Sequence, residues 1–362
     1  MKKTLLLTHE YYPFRGGVAK YCYNLFKFFD TDDYLVVTDN QVVKAQENII
    51  NTNLTLPWLK PSWLWSFFKI KKIIKDNKIE QIFTPNILPL GNIAYRLKIP
   101  YIISLHGLDI NLAIKNKPHL TKDILQNAKA IITNTQNTVN IIKPLDIDQS
   151  KVHVVYPALD FDTSYDESKL EAFRKKLDIK DDEKVIMTLS RLNKRKGQDL
   201  VIEAIAQIKN DYKLKYFIIG SGEEKKHLEF LIAKHKLSDR IFIFDNIDDE
   251  ELIYFFKLAD IFAMPHKQIG DDIEGFGMVF LEAASCKLPI IAGDSGGVKE
   301  VFNSSKQAIL VPGDDLRALV IAIKNLLNNP LEADKLAVAA YKRAGQFKGA
   351  QEQSLILKEI LK

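Results

Sequence analysis

The sequence predicts an α/β protein built from two doubly wound parallel-sheet domains, and three observations lead to that prediction. Short Val/Ile/Leu-rich runs alternate with helical patterns along the whole chain, which is typical of parallel sheets covered on both faces. The length of 362 residues exceeds that of a usual single core. A polar, acidic segment without an apolar period, PALDFDTSYDESK, separates two such series and is interpreted as a linker.

Each half of the chain supplies six strand candidates. They are TLLLTHE, DYLVVTD, QIFTPN, YIISLHG, AIITNT and VHVVYPA in the first half, and KVIMTLS, YFIIGSG, IFIFDNI, IFAMP, PIIAG and AILVP in the second. We therefore expect a first domain over residues 1–162 and a second over 163–342. Residues 343–362 should form a C-terminal helix.

Composition places the chain among globular proteins, with 46% apolar and 27% charged residues. There is no run of 18 apolar residues that could span a membrane. The start, MKKTLLLTHEYYP, has too short an apolar run for a secretory signal and is better explained as a first buried strand. Cys22 and Cys286 lie in helical apolar patterns, so packed thiols in a reducing, cytoplasmic compartment are expected.

The net charge of +5 is unevenly distributed. Residues 1–160 contain 20 Lys and Arg against 13 Asp and Glu, so the first half carries the basic excess. No basic recognition helix or nucleic-acid motif accompanies it, which argues against a nucleic-acid partner.

The most unusual composition is that of residues 58–78, WLKPSWLWSFFKIKKIIKDNK, where all three tryptophans precede a series of lysines. Helical spacing puts Trp63, Phe67, Ile70 and Ile74 on one side. Tryptophan suits the headgroup boundary of a bilayer and lysine suits anionic lipid. Two interpretations stay open: a helix lying on an anionic membrane surface, or a core-packing helix whose lysines face water.

Residues 273–297, IEGFGMVFLEAASCKLPIIAGDSGG, carry the clearest chemical signal. Glu274 and Glu282 are eight residues apart, with Gly275 and Gly277 where a helix should begin. A helix start presents unpaired N–H groups with a partial positive charge, and glycine lets a phosphate approach them. Glu282 could accept hydrogen bonds from the vicinal hydroxyls of a ribose.

At this stretch the chain resembles the retaining glycosyltransferases of family 4. It shares their Glu-x7-Glu motif headed by E-G-F-G, and a downstream G-G-x-x-E formed by Gly296, Gly297 and Glu300. The form DDIEGFGMVFLEA most resembles phosphatidylinositol mannosyltransferases and the glycosyltransferases of lipopolysaccharide or O-antigen synthesis. The resemblance implies the GT-B fold, in which two Rossmann-like domains face each other across a cleft and the last helix crosses back to the first domain.

The resemblance also implies a donor site in the second domain. Glu282 would bind the ribose and Glu274 the sugar hydroxyls. The diphosphate would lie on the backbone of Gly275, Phe276, Gly277, Met278 and Val279. The loops at Gly220 and Gly222 and at Phe244 to Ile247 are expected near the nucleobase.

A basic turn, LSRLNKRKG, follows the first strand candidate of the second domain. It places Arg191 and Lys196 five residues apart, where the family has an R-x4-K pair on the diphosphate. A nucleoside diphosphate leaves with negative charge that a metal or fixed cations must stabilise. Because no D-x-D or His/Cys cluster offers a metal site, we expect these two cations to do so and expect no metal.

Two features of the first domain are expected to lie near the reacting groups of the same site. Gly16 and Gly17 follow the first strand without the G-x-G-x-x-G of a nicotinamide dehydrogenase. In the resembled family this Gly-Gly loop approaches the donor phosphates and the acceptor. His106 follows another strand, and a His-Gly pair at this place in the family lies beside the transferred sugar.

The sequence therefore predicts a retaining, metal-independent glycosyltransferase. It would move a hexose (mannose, glucose or an N-acetylhexosamine) from a GDP- or UDP-sugar to a lipid-linked or cell-envelope glycan acceptor, without a separate cofactor. We expect it in the cytoplasm, peripheral on the inner face of the cytoplasmic membrane. The alternatives are a glycosidase using Glu274 and Glu282, a sugar-nucleotide epimerase of similar architecture, and a non-catalytic nucleotide-sugar-binding protein.

Overall fold

The computed structural model describes residues 2–14, 16–39, 47–245 and 247–362. These residues divide into two compact units. One contains the chain up to Asp160 together with Phe347–Lys362, and the other is Phe161–Gln346.

The first unit is a seven-stranded parallel sheet with helices on both faces. Its strands are β1 (Thr4–Thr8), β2 (Tyr34–Thr38), β3 (Ile49–Asn51), β4 (Gln81–Thr84), β5 (Tyr101–Leu105), β6 (Ala130–Thr133) and β7 (Val152–Val154), in the order β3-β2-β1-β4-β5-β6-β7. Its first six helices are α1 (Gly17–Phe26), α2 (Leu64–Asp76), α3 (Asn92–Leu97), α4 (Leu108–Asn116), α5 (Pro118–Asn127) and α6 (Gln136–Ile142). The order reverses between β1 and β4, which places a switch point of the kind where α/β proteins bind ligands.

Alternation along the strands explains how both faces are buried. Leu5 and Leu7 point into one apolar cluster, whereas Leu6 belongs to the cluster on the opposite face. All three are fully buried.

The second unit is a six-stranded parallel sheet. Its strands are β8 (Lys184–Leu189), β9 (Leu214–Ile219), β10 (Ile241–Phe244), β11 (Ile261–Met264), β12 (Ile290–Gly293) and β13 (Ile309–Val311), in the order β10-β9-β8-β11-β12-β13. Its helices are α7 (Glu167–Lys176), α8 (Gln198–Ile208), α9 (Lys225–Lys234), α10 (Asp249–Leu258), α11 (Met278–Ser285), α12 (Val298–Val301), α13 (Leu316–Asn328) and α14 (Pro330–Ala344). Here the order reverses between β8 and β11.

The prediction of two doubly wound parallel-sheet domains is confirmed, with one strand more than expected. The additional strand is β3, which has only three residues and pairs with β2 at the sheet edge. So short a run carries no periodicity that could distinguish it from a loop.

The unit boundaries differ by a few residues from the expected ones. The chain leaves the first unit after Asp160 rather than after residue 162, and it returns at Phe347 rather than at 343. The later return has a packing reason, since α14 continues to Ala344, which is buried. The last helix, α15 (Ala350–Leu361), then packs against α1 in the first unit, where Leu357 and Leu361 are fully buried.

Both cysteines are buried and unpaired, as expected from their apolar surroundings. Burial raises the pKa of the Cys286 thiol to about 11 and that of Cys22 still further, so both are protonated near neutral pH.

Residues 58–78 contain α2 (Leu64–Asp76), and the two sides of this segment separate as the helical spacing indicates. Trp63 and Phe67 pack partly buried against the core of the first unit, so that side of the segment supports the core-packing interpretation. Other apolar side chains face outward: Trp58 is 79% exposed, Trp65 57% and Phe68 62%.

Candidate active site

The loops that follow β8 and β11 meet at the carboxyl edge of the second sheet, because these two strands are neighbours at its switch point. Gly197 ends the first loop with φ +76°, and a Cβ there would lie 2.4 Å from the carbonyl oxygen of Pro265. The Lys267 N–H donates to the Arg195 carbonyl at 2.8 Å. The two loops are therefore held in direct backbone contact.

A buried cluster of charges forms at this contact. Glu274 Oε2 accepts hydrogen bonds from Lys196 Nζ at 2.6 Å and from Arg195 Nη1 at 2.8 Å. Glu274 and Lys196 are each only 8% exposed, and Arg195 is 6% exposed. Arg195 Nε also lies 3.1 Å from Asp272 Oδ1, an ion-pair distance without hydrogen-bond geometry.

Burial and ion pairing shift the pKa values of these groups in opposite directions. Burial alone would raise the pKa of Glu274, but the Lys196 and Arg195 cations more than offset it and hold that pKa well below its usual range. Burial lowers the pKa of Lys196, an effect that Glu274 opposes and that Arg195 and Arg191 reinforce. Glu274 is thus an ionised carboxylate in a site with excess positive charge.

The backbone of Glu274 is fixed by the Gly-Gly turn after β12. The Gly297 N–H donates to the Glu274 carbonyl at 2.9 Å, and a Cβ on Gly296 would lie 2.2 Å from the same oxygen. Gly296 also has φ +63°, where glycine is favoured. The downstream glycine motif therefore positions Glu274.

Helix α11 begins at Met278, shortly after Glu274 in the chain. Gly277 precedes it in the left-handed conformation, with φ +84° and no side-chain cap, and Phe276 is buried. No acidic residue lies in the first turn, which begins with Met278 and Val279. The N-terminal N–H groups and their partial positive charge add to the cationic character of the site. Glu282 lies further along the same helix, partly exposed.

The other predicted donor residues occupy nearby loops of the second unit. Arg191 is exposed and close enough to affect the pKa of Lys196. Gly220 and Gly222 take φ of +140° and +158°, and Cβ atoms there would lie 2.0 Å from the Ser190 carbonyl and 2.2 Å from the Leu192 carbonyl. At these two positions glycine therefore lets the backbone pack directly against the loop that carries Arg191. In the expected nucleobase loop, Phe244 to Ile247, Asn246 lies outside the described residues.

Two participants are not apparent from the sequence patterns. Arg195 lies inside the basic turn, where only packing distinguishes it from the exposed Lys194. His266 follows β11 and is fully buried. Its Nδ1 lies 3.3 Å from the Gly293 nitrogen and its Nε2 lies 3.0 Å from the Ser295 carbonyl oxygen. In the tautomer that fits both contacts, Nδ1 accepts from the Gly293 N–H and Nε2–H donates to Ser295. Burial lowers the pKa of His266, consistent with that neutral form. The only available signal for His266 was its place at a strand end.

In the first unit, His106 follows β5 and contacts Tyr21 edge-on at 5.1 Å between ring centres. Its Nε2 lies 3.2 Å from Ser104 Oγ, and its backbone N–H donates to Asp109 Oδ1 at 2.9 Å. Burial lowers the pKa of His106 to about 4 and raises that of Asp109 to about 6. His106 is therefore a neutral imidazole near pH 7.

The glycine loop after β1 is also at the carboxyl edge of the first sheet. Gly16 precedes α1 and Gly17 is its first residue; the Gly16 carbonyl accepts from the Lys20 N–H at 3.0 Å. A Cβ on Gly16 would lie 2.8 Å from Glu10 Oε2. That atom is the movable end of a side chain and Gly16 is extended, with φ −151°, so packing alone does not require a glycine there.

No helix of the described residues is long and apolar enough to cross a membrane. Within the same residues, no group of three or more His, Cys, Asp or Glu side chains is arranged to hold a metal ion.

Comparison with known proteins gives two family matches that divide near the unit boundary. The family model described as Glycosyltransferase Family 4 matches residues 15–163, and that described as Glycosyl transferases group 1 matches residues 170–343. Together they span most of both units.

Individual relatives agree with these matches. A GDP-mannose-dependent alpha-(1-6)-phosphatidylinositol monomannoside mannosyltransferase from Mycolicibacterium smegmatis is 26% identical over 359 residues, covering 92% of each chain. An O-antigen biosynthesis glycosyltransferase from Escherichia coli is 31% identical over 154 residues, covering 42% of this chain and 40% of the other. The structure of Anabaena HepE in complex with UDP-glucose matches with a TM-score of 0.83, 18% identity and 99% coverage of both chains.

The fold is accordingly the GT-B class expected from the sequence. In the second unit, the Glu-x7-Glu motif follows β11 at the switch point and the G-G-x-x-E motif follows the neighbouring strand β12. On the family matches, the motifs and the fold together, this chain belongs to the glycosyltransferases of family 4.

Proposed function

We propose that this glycosyltransferase is a retaining, metal-independent hexosyltransferase whose second unit binds a nucleotide sugar. The observation that carries the proposal is the buried Glu274 carboxylate held by Lys196 and Arg195 immediately before the N-terminus of α11. A carboxylate suits sugar hydroxyls, whereas the adjoining cations and helix N-terminus suit a diphosphate. One nucleotide sugar satisfies both halves of this site.

The relatives favour mannose from GDP-mannose as the donor. The mycobacterial relative that covers 92% of the chain is named for that donor. A UDP-hexose is the principal alternative, since HepE binds UDP-glucose in a structure of the same fold.

In the proposed reaction, the acceptor hydroxyl oxygen bonds to the sugar anomeric carbon on the face from which the phosphate oxygen departs. The acceptor proton passes to a leaving phosphate oxygen, so no side chain is assigned as general base. Arg191, Lys196 and the N–H groups of α11 stabilise the charge on that phosphate. Lys196 can do so while bonded to Glu274, because an ammonium has three donors.

The remaining residues bind and orient the substrates. Glu282 accepts from the ribose hydroxyls, and Glu274 accepts from the sugar hydroxyls. Neutral His106, with Gly16 and Gly17, contributes from the first unit beside the transferred sugar and the acceptor. A neutral imidazole can donate one hydrogen bond there without placing a second cation next to a developing oxocarbenium charge.

The acceptor is proposed to be a lipid-linked or cell-envelope glycan, as the relatives' names suggest. The lysines of α2 and the exposed Trp58 and Trp65 would hold the enzyme on the anionic inner face of the cytoplasmic membrane.

A panel of GDP- and UDP-sugars with lipid extracts as acceptors tests the proposal. Released nucleoside diphosphate, its persistence in EDTA, and an NMR assignment of the product's anomeric configuration are the readouts. We expect release with GDP-mannose, unaffected by EDTA, and an α product from the α donor. An inverted product would contradict the retaining mechanism, an epimerised nucleotide sugar without transfer would favour an epimerase, and nucleotide binding without turnover would favour a non-catalytic binding protein.

A further inference from the structure

A crevice lies between α2 and α3 in the first unit, apart from the carboxyl edge of the sheet. Its volume is about 900 Å³, within the range of pockets that hold small organic ligands. Aromatic and aliphatic side chains form its walls, among them Phe67, Phe68 and Ile99. An apolar ligand segment would be well matched to these walls.

Two cations lie at this crevice. The Arg96 guanidinium stacks over the Trp63 ring at 5.2 Å, and its Nε donates to Asn92 Oδ1 at 3.0 Å, so the planar fork is held in place. Lys98 also lines the crevice and is exposed. Neither cation pairs with a carboxylate within the described part of the chain. A fixed guanidinium beside an ammonium is suited to a phosphate group.

The surroundings of the crevice are strongly basic. Residues 58–98 contain eight Lys and Arg but only Asp76 and Glu80 as acids, although the whole chain has a net charge of only +5. None of the eight forms an ion pair with a described carboxylate, whereas lysines elsewhere do, such as Lys324 with Asp211 at 2.8 Å. The excess charge is therefore available to an anionic partner.

Exposed apolar side chains adjoin these cations. Leu64 and Phe68 line the crevice, and Trp65 lies beside them on the outer face of α2. Aliphatic and aromatic walls with a phosphate-binding rim are suited to an amphiphile. A single-stranded nucleic acid would use the cations and aromatic rings but would gain little from Leu64 or Ile99.

We propose that this crevice binds one anionic membrane phospholipid. Arg96 and Lys98 hold its phosphodiester, and an acyl chain lies along Phe67, Phe68 and Ile99. The inference deepens the membrane-surface part of the proposed function, because it replaces a diffuse attraction by a defined site for a single lipid. It does not depend on the sugar donor.

Calorimetric titration of the full chain with dihexanoylphosphatidylglycerol, below its micelle concentration, tests the proposal. We expect one lipid per chain, bound at least about tenfold more tightly than dihexanoylphosphatidylcholine or inorganic phosphate. Replacing both rim cations, Arg96→Gln with Lys98→Gln, should weaken binding by about tenfold or more. The control, Lys306→Gln with Lys342→Gln, changes two exposed lysines of the second unit and should leave binding of the monomeric lipid unchanged.

Phe68 gives a second variant, because a side chain that is 62% exposed contributes little to the stability of the fold. Phe68→Ser should weaken the anionic lipid while leaving inorganic phosphate binding unchanged. The proposal is overturned if wild type does not bind the monomeric lipid, if inorganic phosphate binds as tightly, or if a single-stranded oligonucleotide competes more strongly than the lipid. Because the titration contains no nucleotide sugar, failure of glycosyl transfer would leave its outcome unaffected.

Discussion

The ammonium of Lys196 lies 2.6 Å from Glu274 Oε2, so the principal cation and the principal carboxylate of the candidate active site are bonded to each other. They come from loops after different strands, 78 residues apart. In the proposed binding mode, the donor places its phosphate at Lys196 and its sugar at Glu274. The strength of this ion pair therefore affects both halves of donor binding.

Exchanging Glu274 for Gln should separate binding from transfer. Glu274→Gln removes the negative charge that competes for Lys196, so the affinity for the free nucleoside diphosphate should be retained or increased while transfer falls by roughly two orders of magnitude. Glu282→Ala should instead weaken nucleoside diphosphate and intact donor alike, because the ribose contact is common to both. Calorimetry with GDP and UDP measures the difference. Equal losses of nucleoside diphosphate affinity in the two variants would refute these roles.

Removing the Glu274 side chain entirely should destabilise the second unit. Glu274→Ala leaves Lys196 and Arg195 buried without their carboxylate, a change that costs about 3 to 5 kcal/mol in comparable buried pairs. In a unit of this size we expect the melting temperature to fall by about 10 °C. The control is Glu282→Ala, whose partly exposed side chain should cost little. A melting temperature unchanged in both would show that the ion pair contributes little to stability.

Removing the cations should affect turnover more than binding. Arg191→Ala and Lys196→Ala are each expected to lower kcat by roughly two or more orders of magnitude, since both remove fixed charge from the leaving group. A chelator should have no effect on wild type. Lys194→Ala, in the same turn but exposed, is the control. Activity lost in EDTA and restored by magnesium or manganese would contradict metal independence.

The buried carboxyl of Asp109 should make stability depend on pH. Its folded pKa of about 6 lies above the ordinary value of 3.8, so the folded protein holds a proton that the unfolded chain releases between those values. Its contribution to stability is complete below about pH 4 and is lost as pH rises through 6. Asp109→Asn keeps the acceptor oxygen for the His106 N–H but does not titrate.

The stability of Asp109→Asn relative to wild type should therefore increase between about pH 4 and 6, by at most about 1.4 kcal/mol per pH unit, and level off above about pH 7. Urea unfolding at several pH values measures this difference. Asp123→Asn, an exposed change on α5, serves as control. A difference that is constant from pH 4 to 7 would contradict the raised pKa.

Membrane association should require anionic lipid and weaken with salt. Replacing Lys69, Lys71, Lys72 and Lys75 by Gln should abolish co-sedimentation with phosphatidylglycerol vesicles, because these exposed lysines supply the long-range attraction. Nucleoside diphosphate affinity should stay unchanged, since the proposed donor residues lie in the other unit. Wild-type protein that remains in the supernatant with both neutral and anionic vesicles would end the membrane proposal and leave the family assignment intact.

Trp63 shows a choice that the sequence left open. Helical spacing placed it on an apolar side of α2 but could not say whether that side faces lipid or core. The structure packs it partly buried beneath Arg96, which leaves Trp58 and Trp65 as the tryptophans available to a membrane.

The sequence by itself determined the fold class and the positions of the motifs, because these depend on local patterns. Strand runs such as Leu5 to Leu7 are apolar throughout, as strands buried on both faces must be. The glycine at position 277 marks the start of α11 through the backbone conformation that it permits.

Only the tertiary structure decided which charges meet. The spacing of the basic turn identified Arg191 and Lys196, yet Arg195 is the arginine that contacts Glu274, and His266 joins from a strand end that carried no motif. The physical reason is that burial and pairing depend on which strands become neighbours. β8 and β11 lie side by side although β9 and β10 separate them in the chain, and that adjacency alone brings a carboxylate to its cations.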